Sequence, residues 1–204
     1  MGQNKQLKIK RVILKIYGFL SVLFVTDLIA YFGFEISLRG YFADIILFWF
    51  WCFGSFLIVV IFWKTRLAKL FLIGMVSFVL LSMLPMGLPF YALALSTTPF
   101  GLRLSKDLNS SYRGQIVSYS VMVPPWLEVM EKRGVVERRV LQCKDRELLD
   151  DRSDVKIRYA RDISFDSETD TTMTLTLFYI GIEKTFVFDK RTGAIQANLY
   201  KIDD

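Results

Sequence analysis

Asp27 is the residue whose place in the chain is hardest to explain as scaffolding. It interrupts an apolar run from Ile13 to Phe34. Counted from Ile13, it falls about 21 Å along a helix that rises 1.5 Å per residue, which puts it inside hydrocarbon if the run crosses a bilayer. A carboxylate at that depth costs roughly 2.5–3.5 kcal/mol on insertion scales unless it is protonated or paired. The chemistry it suggests is a proton or cation relay, or an ion pair with a basic residue of a partner. The ordinary alternative is a carboxylate close to the interface, bonded by Thr26 or a tyrosine. A single carboxylate in three spans makes a poor transporter, so the functional reading requires a second copy or a foreign partner.

The other groups able to do chemistry are scattered. Ser105 adjoins Lys106, but adjacent residues of an extended chain point to opposite faces, so a Ser-Lys dyad is not expected. Asp150-Asp151-Arg152-Ser153-Asp154 lacks the ligand spacing of a calcium loop and reads as a solvated turn. Asn109-Ser110-Ser111 fits a glycosylation acceptor, which matters only in a eukaryotic secretory pathway. The two cysteines, Cys52 and Cys143, fall in unlike halves, which leaves no disulfide within either. There is no histidine, so the commonest general base, metal ligand and pH switch is missing. No glycine-rich phosphate loop is present. No catalytic residue, cofactor site or metal site is expected, and the chain reads as a non-enzyme.

Aromatic side chains form the remaining unusual feature. Phe48-Trp49-Phe50-Trp51 lies within an apolar segment, where it faces lipid or packs between helices. Trp49 and Trp51 are the members of that run best suited, with Asp27, to meet a partner inside the membrane.

The elements that would position these residues divide the chain in two. Residues 12–100 are dominated by Leu, Ile, Val, Phe and Trp, whereas residues 101–204 carry the charge density of a water-facing domain. Spans are expected at about 13–34, 45–63 and 70–86. Pro85-Met86-Gly87-Leu88-Pro89 should end or kink the third, leaving residues 87–100 too short to cross again and placing them along the interface. Residues 1–12 form a basic N-terminus. Its Met1-Gly2-Gln3 start resembles a myristoylation signal, but Gln6 stands where Ser or Thr is needed. Asp27 and the lack of a small-x-small site argue that the first run is a retained helix rather than a cleaved signal.

Charge placement gives an orientation. The net charge is +6, and residues 101–204 are balanced at 17 basic and 17 acidic side chains, so the whole excess lies beside the apolar runs. That argues against nucleic acid as a partner, since the folded half has no basic excess. Lys8, Lys10 and Arg11 flank the first run, and Lys64, Arg66 and Lys69 flank the turn between the second and third. Both clusters belong on the cytoplasmic side, which puts residues 101–204 outside the cell. Trp63 beside Lys64 suits the interface.

Residues 101–204 alternate in the manner of strands with one wet and one buried face. The runs are Val117-Tyr119-Val121-Val123, Val155 to Phe165, and Met173-Leu175-Leu177-Tyr179 against threonines. Asp189 to Gly193 predicts a hairpin turn. Pro125 is expected to open a short helix through Met130 that ends at Gly134, with 135–149 open between helix and strand. Ser105–Ser111 and Ser164–Thr172 read as polar loops. The expected fold is three transmembrane helices followed by a small α+β domain, mainly antiparallel β, outside the membrane. The functional expectation is a multi-pass protein of a bacterial inner membrane, contacting lipid and one protein partner, as an immunity or exclusion protein would. An accessory or assembly subunit of a larger membrane complex is the alternative.

Overall fold

The computed structural model describes residues 2–84, 87–119, 123–144, 156–192 and 194–202. The chain divides into two units, Met1–Thr97 and Thr98–Asp204.

The apolar runs of the first unit form helices. They are α1 (Gly2–Phe34), α2 (Tyr41–Ile61), α3 (Arg66–Met83) and a nine-residue α4 (Leu88–Ser96), with a short extended segment β1 (Ile36–Leu38) after α1. Three of them, α1 over Gln6–Phe34, α2 and α3, are long and apolar enough to cross a membrane. Their large side chains face outward: Phe19 is 72 % exposed, Phe53 68 % and Leu70 66 %. Patches of that size on a water-soluble protein would drive aggregation. The N-terminal basic residues belong to α1 itself, so residues 2–12 continue the helix rather than precede it. Thr65 caps α3 by accepting a hydrogen bond from Ala68 N. Helix α3 stops at Met83 and α4 begins after Gly87, whose φ of 69° suits glycine. Pro85 and Met86 lie outside the described residues.

Helices α1 and α2 run antiparallel along one seam. The half-buried positions of α1 are Ile13, Tyr17, Leu20, Ser21, Phe24, Asp27 and Ala30, spaced three or four apart on one face. Gly54 lets α1 approach closely, since a Cβ there would meet the Tyr17 ring at 3.2 Å. The fully buried Ser55 shares a 2.8 Å hydrogen bond with the Tyr17 hydroxyl. Trp51 Nε1 donates to Ser21 Oγ at 3.2 Å, and the Phe24 ring stacks on Trp51 at 4.9 Å.

The second unit is built from two antiparallel meanders. One holds β2 (Leu102–Asp107), β3 (Tyr112–Val117), β4 (Trp126–Arg133) and β5 (Val136–Lys144). The other holds β6 (Asp162–Glu168), β7 (Thr172–Phe178), β8 (Ile182–Asp189) and β9 (Ile195–Ile202). One apolar core lies between them. Ile116, Leu127, Val129, Leu141 and Cys143 face Ile163, Leu175, Leu177, Phe186 and Phe188. Gly114 marks the closest approach, where a Cβ would stand 2.9 Å from Ile163 Cδ1.

Several sequence expectations are corrected here. The helix expected from Pro125 to Gly134 is strand β4, so among its described residues the domain is all β apart from two 3-10 turns, and α+β overstates its helix. Leu127 and Val129 alternate into the core, and both neighbouring strands supply the ladder. Gly134, with φ 66°, makes a hairpin turn instead of ending a helix. The strand expected over 117–123 lies earlier, at Tyr112–Val117. Pro124 and Pro125 cannot donate to a ladder, so the chain reverses between Val117 and Trp126. Val121 lies outside the described residues. Ile157–Tyr159 is a 3-10 turn that buries Ile157 as a plug, and the strand begins at Asp162. The polar stretches 105–111 and 164–172 are not loops but the ends of paired strands with tight turns between them. Asp189 behaves as its sequence suggests, its Oδ1 accepting from the amides of Arg191 and Thr192, while Gly193 lies outside the described residues.

Candidate functional site

Two groups of polar side chains stand out, one in each unit. In the helical unit Asp27 is half-buried on the α1 face that meets α2, and among the described residues it has no hydrogen-bond or ion-pair partner. Thr26, its expected helper, donates instead to Val22 O at 2.8 Å. The two tryptophans that sequence grouped with Asp27 are used within the unit. Trp51 bonds Ser21 across the seam, and Trp49 Nε1 donates to Thr97 O at 2.8 Å, just past the end of α4. The Trp49 ring is 54 % exposed, so its outer surface remains open to lipid or a partner. The three residues do not form one cluster of mutual contacts: each tryptophan has a neighbour of its own, and the carboxylate has none.

The basic residues fall where helix ends place them. Lys8, Lys10 and Arg11 lie in the first third of α1, Lys64 in the turn after α2, and Arg66 and Lys69 in the first turn of α3. Lys10 Nζ lies 5.7 Å from the centre of the Phe62 ring, a cation–π contact that brings the α1 cluster to the same end of the helices as the α2–α3 turn.

The second group was not singled out by sequence and lies on the β2–β5 sheet, on the face opposite the apolar core. Arg113 and Gln115 alternate on β3, Glu128 comes from β4, and Glu137 and Arg139 from β5. Arg113 Nε donates to Glu137 Oε1 at 3.3 Å and Oε2 at 3.1 Å, and its Nη2 bonds Oε2. Arg113 Nη1 bonds Gln115 Oε1, Gln115 Nε2 donates to Glu128 Oε2 at 2.8 Å, and Trp126 Nε1 donates to Glu128 Oε1 at 2.8 Å. Arg139 Nη1 stands 3.6 Å from Glu128 Oε1. Glu137 is 1 % exposed and Glu128 3 %. Two cations meet two anions, every carboxylate is bonded, and the bidentate arginine fixes geometry as well as charge. The signal in sequence was the alternation Arg113-x-Gln115 and Glu137-x-Arg139, which looks the same as the wet face of any strand.

A further charge inside the domain, apart from this network, is Lys184. It shares the core face of β8 with Phe186 and Phe188, is fully buried, and lies 5.2 Å from the Phe186 ring centre. Around the rim, Lys106 Nζ bonds Asp162 at 2.6 and 2.8 Å, while Ser105 Oγ accepts from Arg113 at 3.3 Å. The adjacent Ser105 and Lys106 therefore face apart, as strand geometry requires. Asn109 Oδ1 is occupied by the amides of Ser111 and Tyr112 in the β2–β3 turn. The acidic stretch 150–154 lies outside the described residues, and among those described no three Cys, Asp or Glu side chains are grouped to hold a metal.

No family model, no curated protein and no solved structure matches the chain.

Proposed function

We propose that the chain is a multi-pass protein of a bacterial cytoplasmic membrane. Its N-terminus lies inside, and its β domain, residues 101–204, lies outside and binds another protein without catalysing a reaction, in the manner of an immunity or exclusion factor. The observation that carries this reading is the division of labour between the units. The helices spend their large apolar side chains on an outer surface that only lipid or other helices can cover, and the domain closes a separate core of its own. Lys10 beside Phe62 supports the orientation, because it gathers two basic flanks at one end of the helices, where positive residues hold a chain to the cytoplasmic side. Cross-linking of the full-length protein in its native membrane, followed by mass spectrometry, tests the binding role. One secreted or foreign protein trapped on residues 101–204 is the expected result. A deletion of those residues that left every phenotype intact would sink the reading, and so would turnover by the purified protein that a single carboxylate substitution abolished.

Asp27 favours a second reading, that of an accessory subunit in a larger membrane complex. No basic residue lies between Lys15 and Arg39, between Asp44 and Lys64, or between Lys69 and Arg103. A parallel second copy offers Lys15 about 18 Å away in depth at 1.5 Å per residue, too far to pair. The cation that would neutralise Asp27 therefore belongs to a different chain, on a transmembrane helix with Lys or Arg at matching depth. On this reading Asp27→Asn abolishes co-purification of that subunit. Undiminished co-purification would remove the reading and leave the domain as the binding element.

A further inference from the structure

The strand end of the β2–β5 sheet that follows directly from α4 is unlike the opposite end. Phe100, in the 3-10 turn Pro99–Gly101, is 84 % exposed. Gly101 O accepts a 2.7 Å hydrogen bond from Ser118 N, which ties this turn to the chain leaving β3. Leu102, Val117, Trp126 and Lys144 form the last row across the four strands. Just beyond that row the Tyr119 ring packs edge-on against Trp126 at 5.5 Å, and Val123 is 44 % exposed. Arg103 and Lys144 are exposed beside them. The other end of the same sheet has Asn109, Ser110 and Ser111 in one turn and Arg133, Gly134 and Val135 in the other, with Asp107 and Glu131 close by in the strands. Val135 is its lone large exposed apolar side chain.

Chain length alone bounds where the aromatic end can be. Helix α4 ends at Ser96, four residues before Phe100. A fully extended chain covers at most about 3.5 Å per residue, so Phe100 stays within about 14 Å of the end of α4. Nine residues of helix span only about 13 Å, so α4 cannot cross about 30 Å of hydrocarbon and must end near the side of the membrane on which the domain folds.

We infer that this end of the sheet is a bilayer contact. Phe100 and Val123 enter the boundary between headgroups and acyl chains, Tyr119 and Trp126 sit at headgroup level, and Arg103 and Lys144 meet lipid phosphates. Aromatic rings with a polar edge favour that zone, and long basic side chains reach it while their stems stay in apolar surroundings. The partner is a lipid surface. The inference rests on the membrane-spanning reading of α1–α3.

Site-directed spin labelling tests it, with the full chain in phosphatidylcholine–phosphatidylglycerol vesicles and Cys52 replaced by Ser. Labels go at Phe100→Cys, at Val135→Cys on the far end, and at Phe56→Cys on the outer surface of α2. The expected result is oxygen-rich, water-poor collision at 100, a depth within the headgroup zone, and a several-fold higher collision rate with a water-soluble relaxer at 135. A label at 56 deep in hydrocarbon together with one at 100 as wet as at 135 would overturn the contact while leaving the spans intact. A wet label at 56 would overturn the spans, and the contact with them. Val123→Cys repeats the measurement in case labelling at 100 perturbs the turn, and it must be shielded if the inference holds.

Discussion

The two units hold charge inside apolar surroundings in opposite ways. On β2–β5, Arg113, Glu128 and Glu137 are nearly sealed from solvent and Arg139 is partly buried beside them, and each finds an opposite charge within the sheet. On α1, Asp27 sits on the seam facing α2 with no partner among the described residues. The difference is one of completeness. A buried network that closes on itself asks nothing of other molecules and makes its sheet rigid, whereas a lone carboxylate on a helix that crosses a membrane, as proposed for α1, must be protonated or met by another chain. The paired set points to scaffolding and the lone group to contact.

The sharpest way to break the comparison is to open the closed network. Glu137→Ala leaves the Arg113 guanidinium buried without its anion, and a change of that kind costs about 3–5 kcal/mol. Replacing both partners together, Arg113→Met with Glu137→Leu, should recover most of the loss, because no charge is then stranded. Denaturant unfolding of the full chain in lipid nanodiscs measures both. If the single and double variants are equally destabilised, the pair acts through packing and the contrast with Asp27 loses its basis.

Asp27→Leu should act in the other direction. Removing the carboxylate is expected to stabilise membrane insertion by about 2.5–3.5 kcal/mol in a chain expressed without partners, measured as the inserted fraction in a translocon assay. On the accessory-subunit reading, the same substitution in the native membrane releases the bound subunit. A destabilised, poorly inserted variant would show that Asp27 is satisfied inside this chain, and the two units would then follow one rule.

Legibility in the sequence followed the same divide. The helices were visible because their apolar side chains lie on the outside all round, so uncharged length alone reveals them. Asp27 stood out for the same reason, as the lone acidic residue inside such a run. In the domain, Met173-Leu175-Leu177 announced β7 because one of its faces is apolar and the other threonine. Leu127 and Val129 were harder to see, since Glu128 between them and Met130 after them also fit a helical face, and only the ladder on both sides makes β4 a strand. The Arg113–Glu137 network was hidden altogether. Its residues run from Arg113 to Arg139 and alternate as solvated ones do, so sequence carries no sign that the face is buried. Lys184 misleads in the same manner, since it occupies a core register position where apolar residues are expected.

A smaller effect sharpens the helical side. Trp51→Phe keeps the ring against Phe24 but loses the hydrogen bond to Ser21, a loss of about 0.6 kcal/mol by the average for such bonds between membrane helices. Ser21→Ala should match it, and the double variant should cost no more than either alone, as read by unfolding in mixed micelles. Additive losses would mean that the two side chains act separately and that the seam rests on packing.

On the domain side the smallest effect is one of pH, at the rim where Tyr112 and Lys190 meet Glu168. The Lys190 ammonium first, and then the Tyr112 hydroxyl at 2.8 Å, hold the Glu168 carboxyl below its ordinary 4.5. Burial first, and then that same hydrogen bond, push Tyr112 from 10.0 up to about 12. The signs are opposite. Glu168 contributes stability that is present above pH 4.5 and fades as the pH falls through its lower folded value. Tyr112 contributes stability that is present below pH 10 and fades as the pH rises toward about 12. Tyr112→Phe keeps the stack on Phe165, whose ring centre lies 6.0 Å away, but removes the shared hydroxyl. Thermal midpoints from pH 3 to 11 should then lose the wild type's extra decline above pH 10 and flatten somewhat below pH 4.5, while the acid dependence due to Lys190 persists. An unchanged alkaline limb would place the Tyr112 hydroxyl in water, and it would leave Lys190 alone in setting the charge of Glu168.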